Sequence, residues 1–270
     1  MSESDLIRRS TRPGTVESIR QDLRALGVAQ GDVLIVHSSL SSMGWVAGGA
    51  AAVVDALLEA VGSNGTVSMP AHSGDWSDPK GWANPPVPST WWSDIVDGRP
   101  AFDPYKTPLR EMGAVAENLL MRRETLRSSH PLHSQMAYGR QAERIVSSHP
   151  FDDSFGDRSP LGRLYELDAK VLLIGVGYAQ NTSLHLAESR AQWPGKTKVE
   201  FGSRVMTSDG PMTTTWMGDD VDADDFEALG HDLEKMCAIR IERVGQAESR
   251  LANMRDIVDA AVPWFASHRT

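Results

Sequence analysis

Apolar positions near the start of the chain follow two periods. Val16, Ile19, Leu23 and Leu26 recur every three or four residues and stop at Gly27, which predicts a helix over Thr15 to Gly27. Val33 to Val36 is instead an unbroken apolar run, the pattern of a buried strand. A helical run from Ala50 to Val61 stops at Gly62, Ser63-Asn64-Gly65 reads as a turn, and Thr66 to Met69 reads as a second strand. Short apolar strands that each pair with a helix predict parallel strands covered on two faces.

The pattern lapses between 74 and 110, a segment with seven of the fifteen Pro and four of the eight Trp (Trp76, Trp82, Trp91 and Trp92). A long irregular segment inside a compact domain is uncommon and often functional. Its Trp and Tyr105 form either a lid over a site or a satellite cluster pinned down by burial.

Helical order returns from Arg110 to Arg123, RSSHPLHS at 127–134 is a polar loop, and a helix is expected from Gly139 to Ser148. Ser159 as N-cap and Pro160 at the first helical position open a short helix. The clearest strand, Lys170 to Gly177, leads through 178–181 into a helix starting at Asn181 or Thr182. Val199–Phe201, Arg204–Thr207 and Met212–Trp216 alternate as an antiparallel meander does, and helices are expected near 222–237 and 254–267. The expected fold is α/β: a mixed central sheet with helices on both faces and an antiparallel region near 199–216. Residues 1–270 read as a single domain with a Pro/Trp-rich, lid-like insert at about 74–110.

Composition narrows the function classes. A net charge of −9 argues against a nucleic-acid partner and suits a small cationic substrate. No apolar run nears the ~20 residues that span a bilayer, and MSESDLIRRSTRPG has no apolar signal core. The single Cys237 has no internal disulfide partner and fits packing on a helix face. A reducing, cytoplasmic location is expected.

Candidate chemistry sits where strands end. His185 lies one turn into the helix after the clearest strand, where open α/β sheets place ligands. Glu188 shares its face at i+3 and Thr182 precedes it by three, which suits a general base oriented by a carboxylate. An ordinary surface polar pair is the plain alternative. His37 directly follows the first strand and is either structural or at a site. The Ser- and Gly-rich loop after it, Ser38 to Gly49, matches neither common phosphate-binding fingerprint. His130 and His133 lack the partners of a zinc site, and no metal is expected. No G-x-S-x-G elbow supports a nucleophilic Ser. Asp219 to Glu227 holds six acids in nine residues and reads as an Asp-rich helix N-terminus, with one or two acids facing a cleft.

Several stretches together resemble one family. VLIVHSSLSSMGWVAGGAAAVVDALLEAVGSNGTVSMP, AFDPYKTPLREMGAVAE, RSSHPLHS, SPLGRLYEL, VLLIGVGYAQNTSLHLAE and GQAESRLANMRDIVD are similar, in this order, to the aminoglycoside 3-N-acetyltransferases. The resemblance covers roughly 15–265, and VHSSLSSMGW and NTSLHLAE are its most specific pieces. It implies an α/β fold unlike that of the Gcn5-related acetyltransferases. It also implies acetyl-coenzyme A as co-substrate and transfer to an amine, classically the 3-amino group of 2-deoxystreptamine. The roles it implies are His185 as base, Glu188 orienting it and Thr182 beside it. Coenzyme contacts are expected at His37, Ser38, Ser39, Leu40, Ser41, Trp45, Val46, Thr107, Arg110, Ser129 and His130, where His37 either touches the ligand or holds the site together. Asp75, Trp76, Asp220 and Asp222 are expected to face the cationic acceptor of a monomer or homodimer. Another acceptor, such as an aminophosphonate or small metabolic amine, is the alternative; a coenzyme-binding module without turnover is the third reading.

Overall fold

The unbroken apolar runs become the middle of one large sheet. The structure is a computed structural model and describes residues 2–270. Its strands are β1 (Val33–Ser38), β2 (Thr66–Pro70), β3 (Leu126–Arg127), β4 (Gln135–Gly139), β5 (Lys170–Ile174), β6 (Lys198–Thr207), β7 (Gly210–Asp219), β8 (Arg240–Val244) and β9 (Ala247–Asn253). Its helices are α1 (Glu3–Arg9), α2 (Val16–Leu26), α3 (Gly49–Val61), α4 (Trp92–Gly98), α5 (Gly113–Leu120), α6 (Ala142–Val146), α7 (Pro160–Glu166), α8 (Leu184–Arg190), α9 (Phe226–Met236) and α10 (Met254–His268). Among the described residues no helix is long and apolar enough to cross a membrane.

The sheet order is β3-β4-β2-β1-β5-β9-β8. β1 runs parallel to β2 and β5, while the outer neighbours pair antiparallel, so the sheet is mixed, as expected. Successive side chains on a strand face opposite sides. Leu34, Val36, Leu172 and Ile174 therefore join α2, α3 and α5 in one core. Ile35, Val171 and Leu173 join α6 to α10 in the other. The same pleat sends His37 to the side that carries α8.

Several boundaries move. The helix expected at Asn181 or Thr182 begins at Leu184, because the Asn181 side chain accepts from Ser183 N and Oγ (3.2 and 2.6 Å) and holds a turn ahead of it. The three-strand meander is one long hairpin, β6 against β7. The Gly139–Ser148 helix is split: Gly139 ends β4, which was not expected, and α6 starts at Ala142. The Arg110–Arg123 helix shortens to α5. β8 and β9 lack a clear strand pattern in the sequence, because charged residues interrupt their apolar alternation; β9 pairs with β5, and β8 forms the edge. The acidic run leads into α9, which starts at Phe226 rather than near 222: Asp225 is its N-cap residue and Glu227 lies in its first turn, while Asp219, Asp220, Asp222 and Asp224 precede the helix.

The 74–110 insert folds onto the β6–β7 hairpin. Phe102 N donates to Arg204 O at 2.8 Å, and Ser203 Oγ donates to Trp76 O at 2.8 Å. Buried Arg127 holds its root, donating to Thr107 O (2.6 Å) and Ala71 O (2.7 Å) beside the Phe102 ring. The aromatics do not form one wall, since Trp91 and Tyr105 are largely exposed.

Candidate functional site

The carboxyl ends of β1, β2 and β5 open into one cleft of about 910 Å³. Its floor and walls come from Val36 to Ser41, Met69, Pro70 and His72, the 111–116 stretch entering α5, and Gly175 to His185. This is the position at which parallel α/β sheets receive ligands. The loop after β1 is stitched to the end of β5: Ser39 N donates to Ile174 O (2.9 Å) and Ser42 Oγ to Gly175 O (3.1 Å).

His185 faces this cleft and is backed by rings. Phe155 stacks on it at 4.7 Å between centroids, and Phe226 lies at 4.8 Å. His185 Nδ1 and Glu188 Oε2 are 2.6 Å apart. A carboxylate accepts, so Nδ1 carries the proton and Nε2 keeps its lone pair. Glu188 is 1% exposed. Burial by itself raises its carboxyl, but hydrogen bonds from His185, Asp222 N and Arg269 outweigh it and hold the group below the ordinary glutamate range.

The cleft gathers Thr182, His185, His37, Ser38, Ser39, Leu40 and Ser41. It does not gather the other expected coenzyme residues. Trp45 donates from N to Ser10 Oγ and from Nε1 to Glu3 Oε1, and Val46 is buried in the α2–α3 core, so both lie behind the loop. Thr107 is buried at the root of the insert, where its Oγ1 accepts from Asp103 N. Ser129 is exposed. His130 is fully buried; its Nδ1 accepts from His133 N at 3.0 Å and its Nε2 meets Ser154 Oγ at 2.9 Å, a loop-holding role. Arg110 pairs with Asp75 (3.4 Å) in an adjoining recess that also contains Trp82 and shares Glu111 with the cleft.

The acceptor-side expectations are also redistributed. Trp76 is fixed by Nε1 to Pro100 O at 3.0 Å. Asp220 is exposed on the loop after β7. Asp222 acts through its backbone, N to Glu188 Oε1 (2.9 Å) and O from Arg269 (2.7 Å). The acids beside the cleft are Glu111 and Glu227, and Glu227 accepts from Ala179 N at 3.1 Å.

His72 joins the site without any motif to mark it: it lies two residues past β2, and His37 is the last residue but one of β1. Both line the cleft, and each has a buried Nε2 without a protein partner. Burial pushes both imidazoles down to about 3, so they are neutral donors rather than bases. The start of α5 has no side-chain cap and also lines the cleft, leaving backbone N–H groups for an anion.

Residues 35–266 match the family model described as aminoglycoside 3-N-acetyltransferase. The SPbeta prophage-derived aminoglycoside N(3')-acetyltransferase-like protein YokD of Bacillus subtilis is 37% identical over 97% of this chain and 96% of its own. Its crystal structure superposes with a TM-score of 0.95, covering 98% of each chain. Aminoglycoside N(3)-acetyltransferase VII of Streptomyces paromomycinus is 34% identical over 98% of this chain and 96% of its own. A structure of AAC-IIIb in binary complex with CoASH, 31% identical, superposes with a TM-score of 0.84 over 94% of this chain and 97% of that one. The chain belongs to the aminoglycoside 3-N-acetyltransferase family.

Proposed function

We propose that this member of the aminoglycoside 3-N-acetyltransferase family moves the acetyl group of acetyl-coenzyme A directly onto an aminoglycoside. The acceptor is the 3-amino group of a 2-deoxystreptamine ring, and His185 is the general base. The observation that carries this reading is the 2.6 Å contact of His185 Nδ1 with buried Glu188 at the cleft that the 38–41 loop also lines. The CoASH complex of AAC-IIIb supports coenzyme A as a ligand of this fold, and the place of the 38–41 loop in the cleft is what puts the coenzyme there in this reading.

An amine near neutral pH is mostly ammonium and must lose a proton before it attacks. His185 Nε2 takes that proton, and Glu188 stabilises the imidazolium through Nδ1. The freed nitrogen lone pair adds to the thioester carbon. The oxyanion that forms needs donors. Ser39 and Ser42 N–H groups are already spent on Ile174 O and Ser39 O, which leaves those of Leu40 and Ser41, with Thr182 Oγ1 and the imidazoles of His37 and His72. The carbon–sulfur bond then breaks, and the departing thiolate takes the proton from His185 Nε2. The second proton on the nitrogen, made acidic by its bond to the acyl carbon, passes to the freed imidazole and on to solvent, which leaves a neutral amide. No acyl-enzyme is required, in keeping with the lack of a nucleophile elbow. The uncapped start of α5 suits the coenzyme pyrophosphate, with Glu111 beside it drawn to Arg110 at 3.5 Å, and Glu227 suits the cationic acceptor. The insert at 74–110 belongs to the same domain and flanks the acceptor end.

The test is His185→Ala, assayed by thiol release from acetyl-coenzyme A with a panel of aminoglycosides. General bases contribute roughly 10²–10⁴-fold, so kcat should fall by that much while coenzyme binding by calorimetry stays near native. Turnover near wild type would remove His185 from its role. Thiol release with no aminoglycoside in the panel would remove the acceptor.

A further inference from the structure

We propose that Arg269 is a positioning residue for acetyl transfer: it clamps one oxygen of Glu188, holds the other on His185, and offsets the carboxylate's charge. The inference rests on His185 acting as the base. Arg269 immediately follows α10 and lies beyond the family match, which ends at 266.

The guanidinium is fixed on every side. Nε and Nη2 donate to the two Asp225 oxygens at 2.7 Å each, and Nη2 also reaches Asp222 O at 2.7 Å. Nη1 donates to Glu188 Oε1, which also accepts from Asp222 N at 2.9 Å. The Phe265 and Trp193 rings lie 4.4 and 5.1 Å from its central carbon. Its side chain is 12% exposed and that of Glu188 is 1% exposed. So little solvent leaves the pair weakly screened.

With Oε1 held twice, the carboxylate has no freedom to turn Oε2 away from His185 Nδ1. The charge effect is separate. A lone buried carboxylate would favour an imidazolium at 185 even before the acceptor's proton is taken; the guanidinium, shared with Asp225, offsets part of that pull and leaves the rest to stabilise the imidazolium once it forms. The other groups facing the pair do not replace it. Asp225 is committed to Arg269, and Lys196 Nζ meets the Glu188 carbonyl at 3.0 Å with Asp219 as its nearest acid, at 3.9 Å. Asp222 accepts from Asp224 N. His37, His72 and His133, which interact with His185, are kept neutral by burial.

The experiment compares kcat/KM against pH for wild type, Arg269→Gln and Arg269→Lys. Gln keeps a donor for Glu188 but removes the charge. The acidic limb should move to higher pH by about one unit, because the imidazolium loses a like charge nearby while the Glu188 carboxylate stays. Lys keeps the charge without the planar fork, so its limb should stay near wild type while kcat falls several-fold. A role only in stability would lower activity equally at every pH. A Gln profile that superimposes on wild type overturns the charge offset, and an unaltered kcat in Lys overturns the clamp. If Gln does not fold, the kcat of Lys still decides the clamp. His185→Ala is run alongside: near-normal turnover there would overturn the base and the inference with it, whereas loss of turnover beside unmoved Arg269 variants would overturn the inference alone.

Discussion

A Cβ placed on Gly175 would lie 2.4 Å from the Cβ of Ser42. The missing Cβ lets the loop after β1 lie against the end of β5, where Ser42 Oγ donates to Gly175 O at 3.1 Å, so that the 38–41 loop and the run leading to His185 share one cleft. Gly175 also has φ +63°, a conformation disfavoured for residues with a Cβ.

Gly175→Ala should therefore displace the loop rather than the base. The expected result is a KM for acetyl-coenzyme A raised at least tenfold with a smaller effect on kcat. Adding Ser42→Gly should recover part of the loss by relieving the clash. Steady-state kinetics of the single and double variants check this; an unchanged KM in the single variant would separate the loop from the coenzyme.

Glu188→Gln removes the charge that stabilises the imidazolium and leaves Arg269 with Asp225 as its remaining ion pair. Turnover should fall by about 10²-fold or more, within the range that general acid–base groups contribute. The acidic limb of kcat/KM should move to lower pH, opposite to Arg269→Gln. Stability should fall too, because breaking a buried pair costs about 3–5 kcal/mol. Urea unfolding together with the pH profile tests both parts.

Acid should unfold this protein early. Burial pushes His37, His72 and His149 from an ordinary 6.5 to about 3, and holds His130 and His133 well below their usual range. The unfolded chain binds a proton at each below about 6.5, and the folded chain does not until near 3. Stability is thus lost as pH falls through that window. Each such group contributes about 1.4 kcal/mol per pH unit there, so the first three alone give about 4. Glu188, held low when folded, works in the same direction below its ordinary 4.5. Against a typical 5–15 kcal/mol of total stability, the fold should fail between about pH 5 and 4. Urea midpoints by circular dichroism should drop steeply from pH 7 to 5; a flat series would contradict this.

Sequence alone determined what is local. Unbroken apolar runs marked β1, β2 and β5 because a strand covered on both faces needs apolar side chains throughout. Gly27, Ser159 and Pro160 marked helix ends because their chemistry acts within a few residues, and the Thr15 cap of α2 is of the same local kind. The pairing of His185 with Glu188 was legible because three residues on a helix is a fixed short distance. Only the tertiary structure decided the rest. His72 reaches the cleft because β2 lies beside β1, and His130 leaves it because its loop folds into a buried cluster. Asp222 turns out to serve through its backbone, and Arg269 meets Glu188 across 81 residues of chain. Such contacts are set by how helices pack across a sheet, and no spacing along the chain records them.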